Sequence, residues 1–288
     1  ICAIAGVEAA GLTYKIWWMS EEKMTNLTLY HNGPSTCSQK VRLILGQKGL
    51  DYESKLIDLT QGEQHDPEYV KLNPNHVVPT LVTPNAVLIE SSLIIEYLDD
   101  AYPEISAKPN NPEEIHQMRL WIKNADVYHQ YAGLITYGIA VRNLILAKSP
   151  EEIEADINNI PDPIKRKNRK ELVEKGIESE SVKDAIRKSY AFVQKLEAEL
   201  PKDGWLSGDS FGLADATVVP YITRMEHLAL GEILDKTSSP NISAWLDKIK
   251  GLPFYKEAVN DHIPEPLLGM LNKFGSDLKK DVIEIMKS

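Results

Sequence analysis

The sequence STCSQKVR, residues 35–42, marks the point at which a strand is followed by a helix. Residues 27–30 form a short apolar run typical of a strand, and Val41, Ile44 and Leu45 recur at helical spacing until Gly49. The connecting loop, residues 32–38, therefore brings small polar side chains and free backbone N–H groups to a helix amino terminus. Such a loop suits an anion or a thiolate.

Toward the carboxyl end, the pattern continues to alternate between strands and helices. Residues 52–59 predict a second strand, and residues 65–72 predict a weak second helix. Residues 79–82 and 86–89 predict an antiparallel hairpin, because the intervening TPN is a turn signal. A third helix is predicted over residues 90–101. The order βαβαββα predicts an α+β domain with one mixed sheet.

The rest of the chain predicts an all-α second domain. A long amphipathic helix is expected to run from about residue 112 to about residue 147, with one stripe formed by Met118, Trp121, Ile122, Ala125, His129 and Ala132. The charged segment 165–180 is interpreted as a solvated loop or a helix start. The proline-containing segment 102–111 separates domains at 24–103 and 112–288, and residues 1–23 are interpreted as an amino-terminal extension.

Charge and composition exclude several function classes. The 288 residues carry 42 acidic and 32 basic side chains, a net charge of −10 that repels phosphate backbones and anionic lipid, so neither nucleic acid nor a membrane is expected as a partner. Two cysteines are too few for a disulfide framework, and the seven histidines show no metal-site spacing, so no metal is expected. A cytoplasmic location fits this composition.

Two further segments carry polar groups that suit a peptide ligand. In NPNHVVPTLV, residues 73–82, a cis peptide bond before Pro79 would turn the backbone of Val78 outward, where it could pair with an extended ligand. In the segment that begins with Glu90, Ser91 and Ser92, hydroxyl and N–H groups at a helix start can bind a carboxylate, while Glu90 can bind an ammonium group. Together these features suit a small peptide with an amino acid head group.

These motifs resemble those of the cytosolic glutathione transferases. STCSQKVR, NPNHVVPTLV and LIESSLIIEYLDD stand in the order and spacing of that family's thioredoxin-like domain, and GWLSGDSFGLADATVVPYI, residues 204–222, is similar to its helical-domain signature. The resemblance implies a thioredoxin-like amino-terminal domain, an all-α carboxyl-terminal domain, glutathione as cosubstrate and a homodimer formed between the small domain of one chain and the helical domain of the other.

The resemblance also implies roles for individual residues. Ser35, followed by Thr36, occupies the position of the hydroxyl that hydrogen-bonds the glutathione sulfur. A hydroxyl together with the positive helix end lowers a thiol pKa and raises the thiolate fraction. The remaining glutathione-binding positions are Gln64, His76, Val78, Pro79, Glu90 and Ser91.

A second resemblance bears on the substrate. MRLWIKNADVYHQY and the segment INNIPDPIKRKNRKELVEKG are similar to the bacterial glutathione-dependent β-aryl-etherases, whose serine aligns with Ser38, so Ser35 and Ser38 are both candidates for thiol activation. The implied substrate is an aromatic electrophile, bound beside Trp121, Tyr128 and Tyr137. A general detoxifying or zeta-like transferase is the alternative within enzymes, and a non-catalytic interaction module is the alternative outside them.

Two positions need separate interpretation. Cys37 lies two residues after the site at which cysteine classes of the family place their thiol, so we interpret it as a buried free thiol. Gly212 stands where relatives often have a serine as helix cap, and we expect Asp215 to reach back to the backbone there.

Overall fold

The computed structural model describes residues 26–160 and 162–288, so the extension predicted for residues 1–23 lies outside the described residues. Four strands form one mixed sheet in the order β2-β1-β3-β4, in which β1 pairs parallel with β2 and antiparallel with β3. The elements of this part are β1 (Thr28–His31), α1 (Thr36–Lys48), β2 (Glu53–Leu56), α2 (Pro67–Leu72), β3 (Thr80–Val82), β4 (Val87–Leu88) and α3 (Ser91–Ala101).

The predicted order βαβαββα and the α+β fold class are confirmed. β2 is shorter than predicted, because the Asp58 carboxylate accepts hydrogen bonds from the backbone and hydroxyl of Thr60 and so ends the strand in a local turn. The hairpin forms as expected, with Leu81 opposite Leu88, and the Thr83 hydroxyl accepts a bond from the backbone of Ala86 in the turn.

Helices make up the remainder, and in the described residues none of them is long and apolar enough to cross a membrane. They are α4 (Pro112–Thr136), α5 (Arg142–Leu146), α6 (Pro150–Asn158), α7 (Pro163–Lys175), α8 (Glu180–Glu199), α9 (Leu213–His227), α10 (Pro240–Lys250), α11 (Tyr255–Ala258) and α12 (Glu265–Lys287). The charged segment interpreted as a solvated loop or helix start lies mostly in α7.

The long helix predicted after residue 112 contains a break in its regular winding. A π-helical turn, Tyr137–Val141, joins α4 to α5, so the chain stays helical but is locally wound with a wider turn. α12 packs against this turn as well as against α8 and α9. The turn is therefore held between the helical core and the last helix of the chain.

A buried lysine connects the sheet-bearing part to the helices. Lys48, at the end of α1, donates to the Asp99 carboxylate at 2.7 Å and to the carbonyl oxygens of Tyr102 and Ile105 at 2.9 and 2.6 Å. Asp99 also accepts a bond from the backbone N–H of Ala107. Because a buried ion pair needs further hydrogen bonds to offset its desolvation, these contacts fix the path of the chain between α3 and α4.

The start of α9 depends on a buried carboxylate. Asp215 accepts hydrogen bonds from the backbone of Gly212, as expected, and also from the backbone of Leu206 and from the indole N–H of Trp245. A Cβ atom at position 212 would lie 2.3 Å from the carbonyl oxygen of Ala107. That close approach explains why a glycine stands at this position.

The loop before α1 is organised by the buried guanidinium of Arg42. This group donates to the carbonyl oxygens of Gly33 and Ala258, both at 2.7 Å, and to Nδ1 of His31 at 2.9 Å. Nε2 of His31 therefore carries the ring proton and donates it to the Ser54 hydroxyl at 2.7 Å. Burial, together with the charges of Arg42 and His262, lowers the pKa of His31 to about 3, so this ring is neutral at physiological pH.

We expect Arg42→Met to lower the free energy of unfolding by about 3 kcal/mol, because it leaves buried carbonyl oxygens without their donor. Arg187→Met is the matched control: that side chain is exposed and bonds the Ser288 hydroxyl at 3.4 Å, so its loss should cost less than about 0.5 kcal/mol. Urea unfolding of both variants measures the difference. Equal losses would show that Arg42 does not organise the loop.

Candidate active site

A cleft of about 410 Å³ opens beside the first turn of α1. It lies between that turn, the segment before β3, and the junction of α4 with the π-helical turn. Six of the residues predicted for the site line it, namely Ser35, Thr36, Gln64, His76, Val78 and Tyr137. The structure therefore brings together predicted residues that are up to about a hundred positions apart in the sequence.

Ser35, one of the two candidates for thiol activation, lines the cleft. It is the N-cap of α1, and its Oγ accepts a hydrogen bond from the backbone of Ser38 at 3.3 Å. The first turn of α1 contains no acidic side chain, so the positive end of the helix dipole is not neutralised there. Ser35 thus serves as a helix cap and also lines the cleft.

Ser38, the other candidate, is placed differently. It is fully buried, and its Oγ accepts a bond from the backbone N–H of Asn32 at 3.3 Å. Because it occupies the inner side of the first turn, it is not among the residues that line the cleft. The geometry thus separates two hydroxyls that the sequence left equivalent.

The segment before β3 is fixed by a cis peptide bond and by side-chain hydrogen bonds to its backbone. The peptide bond between Val78 and Pro79 is cis, as expected, and Pro79 is buried. The carbonyl oxygen of Val77 accepts bonds from the Tyr69 hydroxyl at 2.6 Å and the Asn73 amide at 2.9 Å. These bonds fix the backbone of Val78 along the wall of the cleft.

Glu90 and Ser91 lie next to this segment at the start of α3. The Asn75 amide donates to the Glu90 carboxylate at 3.3 Å, and the Ser91 hydroxyl is hydrogen-bonded to the Cys37 sulfur. Glu90 itself has a positive φ of 69°, which turns the chain sharply into the helix. The predicted head-group residues therefore adjoin the cleft without being part of its lining.

The three aromatic residues predicted for a substrate pocket are separated. Trp121 and Tyr128 are buried in the helical core, where the Tyr128 hydroxyl donates to Ser189 at 2.7 Å and its ring stacks on Phe192. Only Tyr137 of the three lines the cleft. Its hydroxyl is buried and has no hydrogen-bond partner among residues 26–160 and 162–288, while Arg169 lies 4.3 Å from its ring centre.

Two polar groups at the cleft, those of Arg224 and His129, have no role in the predicted site. Arg224 donates to the carbonyl oxygen of Pro34 at 2.5 Å, and burial lowers its pKa to about 10, so it stays cationic at neutral pH. His129 lines the cleft, and its Nδ1 lies 3.2 Å from the hydroxyl of Tyr221. In the sequence, the one sign of a special role for His129 is that it is a polar residue in the otherwise apolar stripe of the long helix.

Cys37 is a free, half-buried thiol that lines the cleft, a more accessible position than the buried one expected. Its sulfur lies 3.7 and 3.8 Å from the two ring nitrogens of His129. Burial by itself would raise the thiol pKa, but the hydrogen bond from His129, the charges of Lys40 and His129 and the Ser91 bond together lower it from 9 to about 7. The pKa of His129 is raised, chiefly by its hydrogen bond with Cys37.

The cleft therefore combines a helix amino terminus, a capping hydroxyl and the guanidinium group of Arg224. This arrangement favours the ionised form of a thiol that enters it. Within the residues that the structure describes, no three His, Cys, Asp or Glu side chains come together as a metal site.

Comparison with known proteins agrees with this geometry. The N-terminal domain of glutathione S-transferases matches residues 29–109, and the C-terminal domain matches residues 179–248. Protein LigF of Sphingobium sp. strain SYK-6 is 31% identical over 253 residues, which cover 86% of this chain and 98% of that protein. A zeta-class glutathione S-transferase of Euphorbia esula is 30% identical over 83% of this chain and 92% of its own length.

Comparison with solved structures also finds LigF as a similar protein. The crystal structure of beta-etherase LigF from Sphingobium sp. strain SYK-6 superimposes with a TM-score of 0.71 and 30% identity, covering 81% of this chain and 98% of that one. The thioredoxin-like and helical parts of this chain thus both have counterparts in a solved structure.

Tyr128 and Tyr137 should respond in opposite ways to loss of the hydroxyl. We expect Tyr128→Phe to lower the free energy of unfolding by about 1 kcal/mol, because Ser189 loses its donor. Tyr137→Phe should leave it unchanged or raise it by up to about 1 kcal/mol, because it removes a buried hydroxyl without a partner in the described structure. Urea unfolding of the two variants tests this, and a loss at Tyr137 equal to that at Tyr128 would contradict it.

Proposed function

The chain belongs to the glutathione S-transferase family, and we propose that its cleft activates the thiol of glutathione for attack on an aromatic electrophile, with cleavage of a β-aryl ether as the favoured reaction. The observation that carries this proposal is the Ser35 hydroxyl at the amino terminus of α1, which opens into the same cleft as Tyr137. Similarity to LigF supports the choice of reaction.

Glutathione fits the cleft as an extended ligand. Its cysteinyl unit would pair with the backbone of Val78, its γ-glutamyl head group would meet Glu90 and Ser91, and its glycyl end would lie toward Gln64 and His76. The sulfur would then lie at the Ser35 hydroxyl, since Ser35 and Val78 line the same cleft. Hydrogen bonding to Ser35 and the helix dipole stabilise the thiolate at neutral pH.

Tyr137 can supply a hydrogen-bond donor to an oxygen atom of the electrophile. In an α-aryloxy ketone the thiolate attacks the carbon that carries the aryloxy group; a C–S bond forms, the C–O bond breaks, and the phenolate leaves with the electron pair. The Tyr137 hydroxyl, which has no partner in the described part of the chain, can donate a hydrogen bond to the ketone or to the departing oxygen. A buried donor without a partner is costly, and a substrate oxygen that accepts its hydrogen bond removes that cost.

A zeta-like transferase is the second candidate, favoured by the similarity to zeta-class proteins such as that of Euphorbia esula. Both candidates use the Ser35 hydroxyl and glutathione, so they differ in the electrophile. Tyr137, a tyrosine that lines the cleft, favours the aryl ether.

Calorimetric titration of glutathione at pH 7, followed by assay with a fluorogenic β-aryl ether ketone, tests the proposal on one sample. We expect binding together with release of the phenol. Tyr137→Phe should bind glutathione unchanged but lower kcat on the ether by about tenfold, roughly 1.4 kcal/mol in the barrier. Binding without ether cleavage would favour the zeta-like candidate, and no binding at millimolar glutathione would favour a non-catalytic interaction module.

Two serine variants test which hydroxyl activates sulfur. Ser35→Gly removes the hydroxyl while keeping a tolerated N-cap, so we expect kcat/KM to fall by about tenfold or more with only a few tenths of a kcal/mol lost in stability. Ser38→Ala should lower the free energy of unfolding by about 1 kcal/mol and leave kcat/KM within about threefold, because its hydroxyl bonds the Asn32 backbone. The reverse pattern would assign activation to Ser38.

The homodimer implied by the family is also part of this proposal. Leu93 of α3 and Val127 of α4 are 64% and 57% exposed and line one shallow groove with Arg119 and Glu96. Because the groove joins the sheet-bearing and helical parts, it suits an interface between the small domain of one chain and the helical domain of another. Cytoplasmic location remains a prediction.

Light scattering at micromolar concentration measures the assembly. We expect a dimer, and we expect Leu93→Glu to produce a folded monomer, because a buried unpaired carboxylate opposes association. Ile164→Glu, at a side chain that is 72% exposed and lies outside the groove, is the control that should stay dimeric. A monomeric unmutated protein would contradict the proposal.

A further inference from the structure

The guanidinium group of Arg224 has hydrogen-bond donors that the protein does not use. Arg224 belongs to α9, and its Nη2 donates to the carbonyl oxygen of Pro34 at 2.5 Å. Among residues 26–160 and 162–288, no other nitrogen of this group has a hydrogen-bond partner, although Nε is buried. Because a guanidinium carries five N–H donors, most of the binding capacity of Arg224 is available to a ligand.

The positive charge of Arg224 also has no counter-ion in the described part of the chain. Burial alone lowers its pKa, to about 10, and no neighbouring carboxylate acts on it. The buried Lys48, by contrast, is paired with Asp99 at 2.7 Å. A buried charge without a partner is costly, so a ligand that supplies the opposite charge removes that cost.

The wall of the cleft favours a negatively charged ligand. Arg224 lines it together with two histidines, and none of the described Asp or Glu residues lines it. The chain as a whole carries a net charge of −10, so a cleft lined by a cation and no acid differs in sign from the rest of the molecule. Such a cleft raises the local concentration of anions.

The basic segment of α7, which has no role in the proposed function, adds positive charge on the same side. Residues 165–170 contain five Lys and Arg side chains and no Asp or Glu. One of them, Arg169, lies 4.3 Å from the ring centre of Tyr137, which lines the cleft. The helical part therefore presents positive charge to the place at which the electrophile is expected.

The two carboxylates of glutathione have other partners in the proposed binding mode. The γ-glutamyl head group would meet Glu90 and Ser91, and the glycyl end would lie toward Gln64 and His76. Arg224 instead reaches the cleft from the helical part, which also supplies Tyr137. An anion bound by Arg224 would therefore belong to the electrophile.

We propose that Arg224 binds a carboxylate group of the electrophile, so that the preferred substrates are aryl ethers that carry an ionised acid. The inference rests on the proposed function, in which the electrophile binds beside Tyr137. The planar guanidinium matches a carboxylate in a bidentate pair. Arg224 is thus a specificity-determining residue, while Tyr137 is left to donate to a neutral oxygen of the same substrate.

Calorimetry on the full chain at pH 7 tests the anion site without catalysis. The two probes, 4-methoxybenzoate and 4-methoxybenzamide, are nearly equal in size and differ in charge. We expect the benzoate to bind about tenfold more tightly, because a hydrogen bond between charged groups is much stronger than one to a neutral amide. Equal affinities would overturn the inference. A benzoate that binds only when glutathione is left out would also overturn it, because it would then occupy a carboxylate position of glutathione.

Substitutions of Arg224 show whether this group causes the preference. Arg224→Gln can still donate to the carbonyl oxygen of Pro34 but carries no charge, so the ratio of the two affinities should fall to about twofold or less. Arg224→Lys keeps the charge and should retain a ratio of about fivefold. A merely structural arginine would leave the ratio unchanged in Arg224→Gln, and that result would overturn the inference.

Arg142→Gln is the matched control. The guanidinium of Arg142 donates to the carbonyl oxygens of Val173 and Glu174, and Arg142 is not a lining residue of the cleft. Its loss removes one positive charge from the helical part and should leave the tenfold preference in place, within about twofold. An equal loss of preference in Arg142→Gln and Arg224→Gln would overturn the assignment to Arg224.

A pair of substrates extends the test to the reaction. Two aryl ether ketones that release the same phenol, with a carboxylate or a carboxamide on the ring beside the ketone, differ only in the group that Arg224 would bind. We expect kcat/KM to be about thirtyfold higher for the acid, and Arg224→Gln should lower that ratio to about threefold or less. Because the ratio is taken within one protein, a general loss of activity does not change it.

The two proposals fail separately. Glutathione binding and equal cleavage of the two ethers would overturn the role of Arg224 and leave the transferase proposal standing. A benzoate preference that Arg224→Gln abolishes, in a protein that does not bind glutathione, would support the anion site and contradict the transferase site. If neither is observed, both proposals are wrong.

Discussion

The site depends on how two buried guanidinium groups hold one short loop. Arg42 binds the carbonyl oxygens of Asn32 and Gly33, and Arg224 binds that of Pro34, so three successive carbonyl groups point at cations. The loop has no regular ladder of its own, and a Cβ on Gly33 would lie 2.2 Å from the carbonyl oxygen of His262. Because cations occupy these carbonyl groups, the loop can present Ser35 and the first N–H groups of α1 to the ligand.

Ion pairs also hold the sheet-bearing part against the helices. Lys40 and Lys48 leave α1 in different directions, and each finds a carboxylate on another helix, Asp126 on α4 and Asp99 on α3. Asp126 also accepts the Ser92 hydroxyl. The Lys48–Asp99 pair is buried on both sides, whereas Asp126 of the other pair is 45% exposed. A buried ion pair contributes little net stability, but breaking one is costly, so the Lys48–Asp99 pair acts mainly to fix one arrangement of the helices. The cleft lies at this junction, and its shape depends on that arrangement.

Local sequence predicted the features that local chemistry determines. The capping serine before α1, the turn of the β3–β4 hairpin and the reach of Asp215 back to Gly212 all follow from side chains that bond their own neighbourhood, and all are present. The pattern could not separate Ser35 from Ser38, or Tyr137 from Tyr128, because each pair has equivalent residue types and only tertiary packing decides which member faces the cleft. The contact between Cys37 and His129 spans 92 positions and leaves no trace in spacing.

The π-helical turn has a consequence for how this chain could change. A π turn accommodates one more residue than the α-helical turn it replaces at nearly the same total rotation, so deletion of a single residue between Tyr137 and Val141 would restore regular winding and leave the helix beyond it in about the same orientation. Tyr137 and Val141, which both line the cleft, would then be three positions apart instead of four, so their side chains would change direction relative to each other. One codon therefore changes the substrate side of the cleft locally, while α5 to α7 and the glutathione side, built on α1 and the loop before it, would stay as they are.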